Sequence, residues 1–171
     1  MKRLYAPWRS SYARAIVSNA KREDTSQNAC VFCTQFKESN DYAHGIVRRF
    51  NHTAIMLNKY PYNAGHLMIL PLVHVATLVQ LTVSARQEII ELASHAQQIV
   101  TDVLGADGVN VGINFGKAAG AGIPAHMHVH VLPRFAGDTN FMPTLCNTKT
   151  VSFDLGSIYT ELKPAFDGIK L

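Results

Sequence analysis

The chain has 171 residues, 47% of them hydrophobic, with a formal net charge of +4; that is enough for one well-filled core and short for two, so a single domain over residues 1–171 is expected. No Lys/Arg block is longer than two, a mild basic excess that suits a small anionic ligand and argues against a nucleic-acid groove. The start from Met1 to Arg9 has no apolar leader segment, no apolar run is long enough to span a membrane, and three cysteines do not make a secreted disulfide framework, so a cytoplasmic protein is expected.

In chain order, Ser10 to Val17 reads as a short helix, followed by a polar run from Lys21 to Asn28. Cys30-Val31-Phe32-Cys33 then offers two thiols at the spacing of a metal knuckle or a redox dithiol. A dithiol would sit between a strand and a helix, and the polar flanks here favour zinc. Residues 46–58 read as two strands turned at Asn51-His52, and His66 to Pro71 as a third strand closed by proline. Ser84 with Gln87 forms a capping box, apolar residues from Ala85 to Val103 recur at helical spacing, and Gly105 stops the run, giving one long helix. Val109 to Phe115 alternates cleanly, and Gly116 to Pro124 is a Gly-rich link, either a flexible connection or a phosphate cradle of backbone N–H groups. Phe135 to Pro143 reads as loop, and the tail from Val151 as a short strand and a final helix from Ile158.

Ala125 to Arg134 organises the rest. In His126-Met127-His128-Val129-His130-Val131-Leu132-Pro133, histidines alternate with apolar residues, so a half-buried strand lines the three imidazoles along one face. At ~3.3 Å rise per residue, histidines two apart lie roughly 6.5–7 Å from each other, a span suited to holding a phosphoanhydride. A His-rich surface strand and a three-histidine catalytic zinc site are the competing readings. The strand should pair antiparallel with 109–115. The sum is an α+β layer fold: an antiparallel sheet of about five strands, one long helix across a face, and short terminal helices.

This run resembles the signature of the histidine-triad (HIT) family of nucleotide hydrolases and transferases, His-φ-His-φ-His-φ-φ with φ apolar. Leu57 to Met68, Asn110 to Asn114, Pro133 to Phe141 and even Arg3 to Arg9 are similar to the bacterial diadenosine tetraphosphate phosphorylase-like branch, so the resemblance covers roughly residues 3–145. It implies a HIT-like fold, a homodimer, and an adenine nucleotide or dinucleoside polyphosphate as ligand. It also implies that His128 attacks the α-phosphorus, forming a nucleotidyl-histidine that phosphate or water then cleaves. His130 would donate to the leaving oxygen, His126 and His66 stand beside them, Asn58 meets the ribose, and Asn114 with Gly120 and Gly122 meets the α-phosphate. A neutral nucleophile is needed, and a backbone carbonyl accepting the Nδ1 proton of His128 would leave its Nε2 bare. Lys117 and Arg134, next to the loop and the triad strand, favour phosphate over water as acceptor, unless Arg134 merely pairs with an acid such as Asp138. Two departures from the family pattern stand out. Gly122 occupies a position that carries a polar, phosphate-contacting side chain in several members, and the loop from Asn114 to His126 is one residue longer than in the small hydrolases.

Cys30 and Cys33 resemble a zinc-carrying subset in which His74 and His126 complete a closed, structural tetrahedral site, with no catalytic metal required. Strict alternation puts His126 on the face of His128, so the strand must begin with a twist or bulge to free it, and His44 is the substitute ligand. Cys146 reads most simply as a packed or loop thiol. Cleavage of other nucleoside phosphoesters or phosphoramidates, or nucleotide binding with little turnover in a zinc-stabilised regulatory protein, stay open as alternative functions, with a redox role for the cysteine pair behind them.

Overall fold

The computed structural model describes residues 30–146 and 153–171. The helix expected over Ser10–Val17 and the first residues of the tail strand lie outside them. Five strands form one antiparallel sheet in the order β1-β2-β3-β5-β4: β1 Ile46–Arg49, β2 Thr53–Leu57, β3 Leu67–Pro71, β4 Gly108–Ile113 and β5 Val129–Arg134. β1 and β2 form the expected hairpin around Asn51-His52, and β4 pairs with β5 as the alternation of residues 109–115 predicts.

Period-two patterning gives the sheet two different faces. Ile55, Leu57, Leu67, Ile69, Val129 and Val131 point to one side and join the main core. Their covers are α2, Val83–Leu104, and α4, Leu155–Asp167. α2 buries Ala85, Ile89, Leu92, Ala93, Ala96 and Val100 at helical spacing, and a fully buried Ile or Leu contributes about 1.5–3 kcal/mol. Ala54, Met56, Met68 and Leu70 point the other way, into a smaller cluster with Cys30, Phe32 and Cys33. That face carries α1, Val31–Lys37.

Helix ends depart from the sequence reading in detail. α2 is capped by Thr82, whose hydroxyl accepts from the Ala85 N–H at 3.2 Å, so Ser84 lies inside the helix and the Ser84/Gln87 capping box does not form. A capping box exists one turn upstream instead, between Thr77 and Gln80. Gly105 closes α2 at φ 65° as expected. α4 begins a turn before Ile158 because Asp154 caps it, accepting from the Ser157 N–H at 2.8 Å. A one-turn helix, α3, Met142–Cys146, stands at the end of the stretch read as loop. Gly65, at φ 71°, is favoured by its left-handed conformation, and a β-carbon there would displace the tip of the Leu104 side chain at the end of α2. Among the described residues no helix is long and apolar enough to cross a membrane.

The histidine strand is shorter than the alternation predicts. Pairing between β3 and β5 runs from Leu67↔Val131 to Ile69↔Val129 and stops there. Upstream, the Met127 N–H donates to the Val75 carbonyl at 2.8 Å and the His126 N–H to that of Ile123 at 3.3 Å. The chain therefore leaves the ladder before His128, and His126 is free to turn away from the other two histidines.

Candidate functional site

His128 and His130 stand on the second face of the sheet, at the wall of a cavity of about 890 Å³. The His128 Nδ1–H donates to the His126 carbonyl at 3.0 Å, which leaves the Nε2 lone pair bare. His130 is in the opposite state. The backbone N–H of Tyr62 donates to His66 Nδ1 at 3.2 Å, so the His66 proton sits on Nε2, 3.0 Å from His130 Nδ1. His130 Nδ1 accepts that bond and its own proton is on Nε2. One imidazole thus presents an acceptor and its neighbour, with ring centroids 4.8 Å apart, a donor.

Burial keeps these rings neutral. It pushes His66 down to about 4, helped by the charges His130 and His128 would carry, and His130 down to about 4, helped by His128. His128 is lowered for the same first reason, against the opposing pull of the His126 carbonyl.

Of the residues the sequence singled out, Asn58, Gly120 and Gly122 line the cavity with the two histidines, and His66 lies behind His130. Asn114 stands next to the loop, its Nδ2 3.9 Å from where a Gly120 β-carbon would be. Lys117 is exposed on the 3₁₀ turn Lys117–Ala119. Arg134 takes the pairing alternative: its Nε and Nη2 donate to Asp138 at 2.6 and 3.1 Å, and its Nη1 to Asn110 Oδ1 at 3.1 Å. The Arg134 guanidinium holds the Asp138 carboxyl well below the usual range.

Sequence reasoning missed other members of the site. Phe32 sets its ring edge-on to His126 and His128, at 5.5 and 5.6 Å between centroids. Tyr62 packs against His66 at 4.6 Å. Gln35 also lines the cavity, as do Leu155, Gly156 and Tyr159 of α4. Helical spacing from Cys30 would have placed Phe32 and Gln35 near each other; nothing local signals the arrival of α4.

His126 belongs to a second group behind the first. Its Nδ1 lies 3.4 Å from Cys30 Sγ and 3.5 Å from Cys33 Sγ, and Cys33 Sγ is 3.3 Å from His74 Nδ1. All four donor atoms lie within 4.8 Å of one another. A tetrahedral zinc bound to thiolates and imidazoles separates sulfur from nitrogen by about 3.5 Å, so the donor set fits that ion. The His126 Nε2–H donates to the Pro71 carbonyl at 2.9 Å, turning the Nδ1 lone pair toward the thiols. His44, the substitute ligand, bonds Glu38 at 2.7 Å instead. Burial, then Cys30, pushes the Cys33 thiol up to about 11, the opposite of what a bound cation would do.

The model of the HIT domain matches residues 40–137. The chain belongs to the HIT family. Across 151 residues it is 32% identical to the AP-4-A phosphorylase of Mycobacterium tuberculosis, covering 88% of this chain and 77% of that one, which places it with the bacterial phosphorylase-like HIT branch. It is 34% identical over 93 residues to the asymmetrical bis(5'-nucleosyl)-tetraphosphatase of Schizosaccharomyces pombe, 54% of this chain and 50% of that one. Among solved HIT structures, a Zn-bound histidine triad family protein from Mycobacterium smegmatis has the same fold, with a TM-score of 0.66 at 24% identity, over 83% of this chain and 96% of that one.

Proposed function

We propose that the protein cleaves dinucleoside polyphosphates, of which diadenosine tetraphosphate is the model, by nucleotidyl transfer through His128. The observation that carries the reading is the pair of opposite imidazole states at one cavity wall. His128 Nε2 attacks the α-phosphorus in line; the bond to the leaving phosphate oxygen breaks as His130 Nε2–H donates to it. An oxygen of the acceptor then attacks the same phosphorus, the phosphorus–Nε2 bond breaks, and its electron pair returns to His128 Nε2. Asn58 holds the ribose, and Asn114 with the backbone of Gly120 and Gly122 holds the α-phosphate, which suits the polar, Gly-rich side of the cavity. Cys30, Cys33, His74 and His126 hold a zinc ion whose role is structural, tying α1 to the start of the triad segment.

Phosphate is the favoured acceptor. The relative that spans most of the chain is named a phosphorylase, and Lys117 supplies positive charge on the loop. Arg134, engaged by Asp138, contributes less than its place in the sequence implies. The chain acts as one domain and, we infer, as a cytoplasmic homodimer joined through β4, an edge strand whose Val111 is 50% exposed.

Incubating the protein with diadenosine tetraphosphate, with and without inorganic phosphate, tests the reading. ADP and ATP formed only with phosphate are expected. AMP and ATP at a phosphate-independent rate would make it a hydrolase, and tight nucleotide binding with no products would make it a binding protein.

A further inference from the structure

The cavity wall on the α1 side is made by one helical stripe, Val31, Phe32 and Gln35. Phe32 stands against the His128 ring, and Gln35 projects from the following turn, about 4.5 Å farther along the helix. Met56, Met68 and Ile123, which pack with Phe32, add apolar side chains to the lining. Gln35 Oε1 is shielded from solvent and, among the described residues, is the buried side-chain polar atom with no hydrogen-bond partner. A buried acceptor left unmet is costly, and native proteins rarely keep one without a use for it. Two other polar side chains of the lining have protein partners: Asn58 Oδ1 accepts from the Tyr60 N–H, and His44 bonds Glu38.

We propose that Gln35 reads the base of the bound nucleotide, its carboxamide accepting from an exocyclic amino group and donating to the adjacent ring nitrogen, which selects adenine. This rests on the nucleotide-cleaving reading above for the nature of the ligand, but concerns specificity and not the chemistry. A primary amide matches the paired donor and acceptor on an adenine edge in a flat, two-bond contact. Apolar walls accept any base face, so a polar group set among them sets the choice. The terminal torsion of glutamine is broad, which lets Oε1 turn to meet an entering amino group.

The test measures binding of AMP, of purine riboside 5'-monophosphate, which lacks the amino group, and of IMP, by calorimetry on the wild-type protein and on Gln35→Met. Wild type is expected to bind AMP at least about tenfold more tightly than either analogue, the worth of one good hydrogen bond. Gln35→Met is expected to bring the three ligands within about twofold of each other by weakening AMP alone. Equal binding of AMP and the purine analogue by wild type would overturn the proposal without any variant, and so would an AMP preference that survives Gln35→Met. IMP bound as tightly as AMP would overturn the assignment to adenine. Turnover of diadenosine tetraphosphate is followed alongside. An AMP preference in a protein that cleaves nothing leaves base reading intact and removes the cleavage reading; cleavage without a base preference does the reverse.

Discussion

His66 Nε2 donates to His130 Nδ1 across 3.0 Å, and this one bond decides which nitrogen of His130 carries the proton. His66 touches no solvent, at 1% exposure, and acts on the chemistry only through its neighbour.

Replacing His66 therefore separates positioning from packing. His66→Ala leaves His130 free to move its proton to Nδ1, and turnover is expected to fall about 10²-fold, the worth of one correctly aimed hydrogen-bond donor at developing charge, with KM little changed. His66→Gln, whose amide N–H can reach the same place, is expected to recover part of the loss. Steady-state kinetics on both variants decides it: equal losses in the two, or a change in KM alone, would show His66 to be a packing residue.

His128→Ala removes a ring at the cavity wall whose bare nitrogen is fixed by the backbone. Turnover is expected to drop by more than about 10³-fold while nucleotide affinity stays within a small factor. Intact-mass measurement after an alkaline denaturing quench, which preserves a phosphorus–nitrogen bond, is expected to show a nucleotide adduct on the wild type and none on the variant. Near wild-type rates in the variant would move the mechanism to a water activated by metal.

The Cys30/Cys33/His74/His126 group predicts about one zinc per chain. Cys30→Ser or Cys33→Ser is expected to lose the metal and lower Tm by more than about 10 °C, since metal-binding free energy is folding free energy. His74→Ala weakens retention and His44→Ala does not. Elemental analysis and melting curves read this directly, and a metal-free wild type of equal stability would remove the site.

Acid should unfold the protein partly through His66 and His130. Both stay neutral in the fold down to about 4, whereas in the unfolded chain they protonate near 6.5. The unfolded state thus binds more protons between those values, so the stabilisation is complete above pH 6.5 and is lost as pH falls toward 4. Tm followed from pH 7.5 to 4.5 is expected to fall less steeply in His66→Gln than in wild type, the metal ligands being the same in both. Parallel curves would show that the two rings titrate normally in the fold.

Most of the frame was legible because it follows from period. The alternation of Val129 to Val131 and the spacing from Ala85 to Val100 each specify an element and the face it buries, and the apolar run from Leu67 closed by Pro71 specifies a strand buried on both faces. The pair Arg134 and Asp138, four apart, was one of two readings, and geometry selects it. What period cannot carry is the departure at His126. Its cause is the bond from Met127 to Val75, 52 residues away, and no local pattern announces a partner at that distance. The Cys30 motif pointed to metal but hid the helix that starts inside it, and with it Phe32 and Gln35. The cap at Thr82 was missed for a different reason: Thr82 and Ser84 are both good caps, their hydroxyls lie 3.0 Å apart, and the choice between them falls to where the helix docks on the sheet.

His126 does its two jobs with different atoms. The ring faces the cysteines, while the carbonyl oxygen fixes the proton of His128, and every amino acid has a carbonyl. A lineage descended from this protein could therefore exchange the cysteines and the ring for ordinary packing and still inherit a His128 ring with its Nε2 bare, provided the main chain kept its course past Val75. The reverse trade is closed, because no side chain at position 126 can restore the proton lock once that course is lost.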